Sequence, residues 1–339
     1  MQPIKTLLAI LIASSLTACA SQVPSSSNGT TTTQSTTQIQ SQNDQNMQVI
    51  FLDKQAGTQL LATEDDYLKV LSPFDWLAKF KSERPLNQQE LQDYYAKATV
   101  NWDAASKQKV MTAVEVLQRR IADMHFNNPP TLKFVLTNGL VESGAAYTRD
   151  DYIVLTTSFL QESQADINHL VAHEFFHVYS RYNQSHRDAL YGTVNFKKIP
   201  PLELPSQLDD LRISNPDAPR MDYGIDLQYQ GKTYTFVPIS LAHTPYDVQS
   251  NLPFFAYLVN GLLAVTTKEG KSVPVLTNNQ PIIVDAEDTN FYSVVQPNSE
   301  YLNDPEEVSA ENFSNWVVGN ELKHQQPVDK LLRVMQDIQ

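Results

Sequence analysis

The run INHLVAHEFFHVYSRYN places His173 and His177 four residues apart, with Glu174 directly after the first. On a helix, residues four apart differ by about 40° in projection, so both imidazoles leave the same side and can converge on one ion. Glu174 sits about 100° round from His173, beside such an ion rather than on it. From there its carboxylate can take a proton from metal-bound water. Two histidines and a glutamate in this pattern are the helical signature of a Zn2+ site with its general base. The same helix has a separate apolar stripe of Ile167, Val171, Phe175, Val178 and Tyr182, which leaves the histidines off the core face. With 7 histidines in 339 residues, chance would produce the pattern in roughly one such chain in 100. The helical context adds weight that composition alone does not.

A catalytic zinc site needs a third protein ligand and an open position for water. His169 shares the histidine face but lies about 12 Å along the axis from His177, which makes it a rim or surface residue. The continuation HExxHxxGxxH fails, because Ser180 and Asn183 occupy the glycine and last histidine positions, and His186 is out of phase. Glu203 sits among prolines in PPLELP and lacks a helix. Glu307 is better placed in DPEEVSAENF, a helix start with Asp304 as N-cap and Pro305 at the first position. Glu306 stays open as an alternative ligand, with Glu307 then completing a capping box. The spacing of Glu307 and Glu311 resembles the gluzincins. There a ligand glutamate is followed four residues later by an acid that holds a ligand histidine's other nitrogen. The resemblance implies Glu307 as the third metal ligand and Glu311 as the orienting acid, where aspartate is the more usual residue.

The elements that must position these residues can be read around them. Residues 48–127 look mostly helical, with LNQQELQDYYAKA and AASKQKVMTAVEVLQRRIADM carrying apolar residues at three- and four-residue spacing. Asn128, Pro129 and Pro130 stop the second of these. TLKFVLTN and YIVLTT read as strands. Ser163, three before Asp166, predicts a helix beginning near Gln164 and stopping near Asn183. The Pro-rich KKIPPLELPSQL cannot be regular helix. Hairpins are expected to turn at Gln230-Gly231 and Glu269-Gly270. NLPFFAYLVNGLLAV reads as a buried helix or a strand pair. The last turns of the DPEEVSAENFSNWVV helix offer Phe313, Trp316 and Val317 to the core.

The start of the chain sets a compartment. MQPIKTLLAILIASSLTACA has a charged beginning, a short apolar run and small residues before Cys19, the pattern of a secretory signal. LTAC resembles the bacterial lipobox, which implies acylation of Cys19 and a lipid anchor in a membrane. The chain has 1 Cys, so no intrachain disulfide can form. A non-aspartate after the cysteine, here Ala20, goes with the outer membrane in such lipoproteins where the source has one. The periplasmic side or the cell surface is then the expected location. The Ser-, Thr-, Gln- and Asn-rich residues 19–47 read as a disordered tether after a signal peptide at 1–18. The net charge of −13 argues against a nucleic-acid surface.

The pair HEFFHVYSRYN and NDPEEVSAENF resembles a poorly characterised group of exported bacterial zincin-like proteins, over about residues 50–320. The resemblance implies an α+β fold with a zincin-like core. A small sheet would lie beside the active-site helix, after a mostly helical subregion at 48–130. The catalytic region would span 131–339, with a β-hairpin insertion at about 195–290 before the third-ligand helix. The expected activity is a lipid-anchored zinc-dependent hydrolase, most simply a metallopeptidase acting on a peptide or protein. Zinc lowers the pKa of bound water from about 15.7 to about 7, and Glu174 would serve as general base. The strand YIVLTT resembles the zincin edge strand that pairs an extended peptide. His243, Tyr292 and Tyr301 are open candidates for donors to a developing oxyanion. A non-catalytic zincin-like module that binds a cell-envelope partner is the alternative.

Overall fold

Capping side chains punctuate the first part of the chain. The computed structural model describes residues 47–124, 129–250, 252–300 and 304–338. The expected signal peptide, Cys19, the tether up to residue 46 and Tyr301 lie outside the described residues. Strand β1 (Val49–Phe51) is followed by helices α1 (Lys54–Ala62), α2 (Asp66–Val70), α3 (Pro73–Phe80), α4 (Gln88–Ala98) and α5 (Ala104–Ile121). Each of these helices starts at a side chain that accepts from the backbone N–H three residues on: Asp53, Asp65, Ser72, Asn87 and Asp103. Such caps satisfy N–H groups that the first turn leaves without partners. The short β1 was not expected within the helical stretch.

Next come β2 (Leu132–Thr137), β3 (Tyr147–Arg149) and β4 (Tyr152–Thr156). The sheet order is β1-β2-β4-β3, with β1, β2 and β4 parallel and β3 antiparallel to β4. The sheet is buried on both faces. Phe134, Leu136, Ile153 and Leu155 join the main core with Val110 and Val114 of α5. Val135, Tyr152 and Val154 face the other way, among Leu61 and Tyr95 of the N-terminal helices. Burial on both sides explains why these strands are continuous apolar runs rather than alternating ones. One expectation is corrected here. The strand at Tyr152 is internal, paired to β2 and β3, and the edge belongs to β3. The tight turn at Asp150-Asp151 folds β3 back over that side.

Helix α6 (Gln164–Tyr182) begins at Ser163, whose side chain accepts from the Asp166 N–H, and ends at Asn183. Ile167, Val171, Phe175 and Val178 are fully buried. Tyr182 does not continue their stripe: it is 53% exposed. Tyr179 fills the end of the interface instead, donating its hydroxyl to the Met335 carbonyl at 3.2 Å.

Helix α7 (Arg187–Gly192), β5 (Lys197–Lys198) and the short α8 (Ser206–Asp209) lead into β6 (Tyr223–Tyr229), β7 (Lys232–Ala242), β8 (Leu258–Lys268) and β9 (Lys271–Pro274). Gln230-Gly231 and Glu269-Gly270 form the two hairpin turns, all four residues at positive φ. That geometry matches the twist of the flanking strands. The described part of the apolar stretch, 252–265, is neither an α-helix nor a strand pair. A short 3-10 turn at Phe254–Tyr257 precedes the single strand β8. Strands β10 (Leu276–Thr277), β11 (Gln280–Pro281) and β12 (Ile283–Val284) follow, and the second sheet runs β12-β8-β7-β6-β5 with β9 on β8. Phe236, Leu262 and Ala264 turn one face of this sheet to the main core.

The chain ends with α9 (Phe291–Val295), α10 (Pro305–Val318) and α11 (Gln325–Asp337). Asp304 caps α10, accepting from the Glu306 N–H, and Gly319 closes it in the left-handed region at φ 77°. Phe313 and Val317 are buried, while Trp316 is half-buried against them. The described residues belong to one compact unit and form an α+β fold. Among them, no helix is long and apolar enough to cross a membrane.

Candidate metal centre

Helices α6 and α10 pack against each other, and the stacked rings of Phe175 and Phe313, 5.5 Å apart, seal the contact. Their polar residues meet in reverse order, as antiparallel helices require. His177 reaches Glu306, His173 reaches Glu307 and Glu311, and His169 reaches Glu311. Steps of four residues on each helix, about 6 Å, keep the two rows in register.

Nε2 of His173 lies 3.2 Å from Glu307 Oε2, and Nε2 of His177 lies 3.8 Å from the same oxygen. The ligand atoms of His173, His177 and Glu307 all fall within 4.8 Å of one another. His177 is fully buried, yet its Nε2 has no hydrogen-bond partner among the described residues. A buried nitrogen left without a partner costs free energy unless something else meets it. Two imidazoles and a carboxylate form a donor set that suits a zinc ion, and the orphaned nitrogen points toward the same place.

Each ligand candidate has a second hold. Nδ1 of His177 is 2.9 Å from Glu306 Oε1, and that oxygen also accepts from Ser180 Oγ at 2.5 Å. Tyr191 donates its hydroxyl to the other Glu306 oxygen. Nδ1 of His173 is 3.3 Å from Glu311 Oε2, while Asn315 Nδ2 steadies Glu311 Oε1 at 3.1 Å. Asn215 Nδ2 donates to Glu307 Oε1 at 2.6 Å. His169 lies at the rim of the cleft, with Nε2 3.1 Å from Ser314 Oγ.

The electrostatics call for positive charge. Burial alone would disfavour the His173 imidazolium, but its hydrogen bonds to Glu307 and Glu311 prevail and raise its pKa well above the usual value. Burial would likewise raise Glu307, yet the His173 hydrogen bond and the neighbouring imidazoles hold it at about 2. Glu311 is also lowered against its burial by hydrogen bonds to His169 and His173. Glu307 and Glu311 are thus kept ionised beside the rings, an environment that a divalent cation would complete.

Glu174 is buried, and Thr148 of β3 donates its hydroxyl to Glu174 Oε2 at 2.6 Å. Beside it stands Asp217, which the sequence reading missed. Its ligand oxygen forms a second group with Glu174 and His177, again within 4.8 Å. Burial first, then the charges of Glu174 and Glu307, push Asp217 well above the usual carboxylate range. The signal that could have found it is thin: SNPDAP is a loop with an acid between two prolines and no periodicity.

Glu174, His173, Glu307 and Glu311 line a cleft of about 490 Å³, together with apolar residues that include Phe254, Phe255 and Leu258. Of the candidate oxyanion donors among the described residues, neither His243 nor Tyr292 lines this cleft. His243 is exposed and stacks on Tyr257, with ring centroids 5.8 Å apart. Tyr292 is 41% exposed and hydrogen-bonds Glu287 instead. No protein-family model, no curated protein and no solved structure matches this chain.

Proposed function

We propose that this chain is a zinc-dependent hydrolase, a metallopeptidase of zincin-like type, held at a membrane by an acylated Cys19. The observation that carries the reading is the convergence of His173, His177 and Glu307 around the partnerless Nε2 of His177. A zinc ion held there would polarise a scissile carbonyl and supply an activated water. Glu174 would be the general base: its carboxylate lies outside the group of His173, His177 and Glu307, and Thr148 holds it. Glu306 and Glu311 hold the outer nitrogens of the two rings, which sets tautomer and orientation. The small sheet with its antiparallel edge strand β3 beside α6 supports a zincin-like core.

The test separates binding from turnover. Metal analysis of the purified protein should find one zinc per chain, and His173→Ala should lose it. Glu174→Gln should keep the zinc and lose cleavage of a peptide library. Zinc bound with no cleavage by either protein would favour a non-catalytic binding module. No zinc in the wild type would overturn the reading.

A further inference from the structure

The segment 214–219 crosses the centre and is tied down along its length. Ser214 donates its N–H to both oxygens of the buried Asp75, each at 3.2 Å, and its carbonyl accepts from Lys79 Nζ at 2.8 Å. Nη2 of Arg181 donates to the carbonyls of Pro216 and Asp217 at 3.2 and 2.8 Å. Asn215 reaches Glu307. Asp217 Oδ1 accepts the Thr148 N–H at 2.6 Å and stands 3.9 Å from His177 Nε2.

Two features give this arrangement a meaning. Thr148 lies on β3, the edge strand of the sheet, whose free N–H and carbonyl are the groups an extended peptide would pair with. Asp217 already takes that N–H, and Arg181 lies 3.4 Å from the carbonyl. In addition, Pro216, Asp217, Ala218 and Pro219 line both the cleft of about 490 Å³ and a neighbouring cavity of about 220 Å³. The segment is thus a shared wall of the two cavities, and Glu174 lines the larger one.

We infer that Asp217 is a fourth protein ligand of the resting centre and that the segment 214–219 occupies the peptide site in competition with substrate, slowing turnover without abolishing it. The inference rests on the zinc reading above. Four protein ligands close a tetrahedral site, whereas catalysis needs one position open. A tethered carboxylate competes at high effective concentration with any incoming ligand. Displacing it restores the position for water and frees the edge of β3 in one movement.

The test uses the full chain with cobalt in place of zinc, so that the visible absorption spectrum reports on the ligands. Acetohydroxamate is titrated into wild type, Asp217→Ala and Asp217→Asn. The asparagine variant keeps an acceptor for the Thr148 N–H and so preserves the segment. Both variants should bind acetohydroxamate at least about tenfold tighter than wild type, because apparent affinity falls with the fraction of open sites. Their cobalt spectra should also differ from wild type before any addition. Identical spectra and affinities within twofold, with metal bound in all three, overturn this inference and leave the zinc reading intact. Absence of metal from the wild type overturns both.

Discussion

Glu306 and Glu307 are neighbours in sequence but about 100° apart around α10, and that angle separates their work. Glu307 faces the Nε2 atoms of both rings, while Glu306 lies behind His177 on Nδ1, shared with Ser180 and Tyr191. Removing a group that orients a ligand histidine commonly costs 10–100-fold in metal affinity. Glu306→Gln is therefore expected to weaken zinc binding by roughly that factor, read by competition with a chromophoric chelator. An unchanged affinity would mean the His177 ring is held without it. Thr148 offers a second residue-level check. Thr148→Val removes the hydroxyl that satisfies buried Glu174, and leaving that carboxylate short of a donor should cost about 1–3 kcal/mol in urea unfolding. A change below a few tenths would show that another group takes over. Helical period put His173, Glu174 and His177 together in the sequence, while Glu307 and Glu311 came from a resemblance in spacing, with Glu306 left open beside them. Asp217, Asn215 and Thr148 were not legible, since a Pro-bracketed loop and a three-residue strand carry no period to read.

The distances among these residues depend on how two helices are held. Ser163 and Asp304 set where α6 and α10 begin, and Phe313 stacked on Phe175 fixes their contact just below the polar rows. Phe313 is fully buried and also packs near Phe176 and Trp316. Phe313→Ala should cost about 3–5 kcal/mol through lost burial and the cavity left behind. It should weaken zinc binding as well, because the acids of α10 lose their register against α6. Denaturant unfolding and the chelator assay check both halves. A variant that loses stability but binds zinc as tightly as wild type would show that register does not depend on this stack. The starts of α6 and α10, the stop at Asn183 and both hairpin turns could be read from local chemistry, since each depends on a few neighbouring residues. β1 and β3 could not. Each is three residues long, too short for a period to show; β1 is defined by a partner far along the chain, and β3 by a two-residue turn back onto β4. For the same reason the strand at Tyr152 was taken for the edge that β3 forms.

At the scale of the whole molecule, the centre joins parts of the chain from Thr148 on β3 to Glu311 on α10, with segment 214–219 between them. A cation bound there would tie the first sheet, both central helices and the loop to one point. Without it, a proton on His173 between Glu307 and Glu311 supplies part of that charge, while His177 Nε2 stays unpartnered. Metal should therefore stabilise the fold and not just the site. With free zinc at 100 to 1,000 times its dissociation constant, the gain is about 2.7–4.1 kcal/mol. At about 2 °C per kcal/mol for a chain of this size, chelation should lower Tm by roughly 5–8 °C. Adding zinc back should restore it. His177→Ala should start low and respond to neither treatment, because it lacks a ligand and the orphaned nitrogen together. If wild type melts at one temperature with chelator and with zinc, the convergence of His173, His177 and Glu307 is an ion-pair network that folds without a cation.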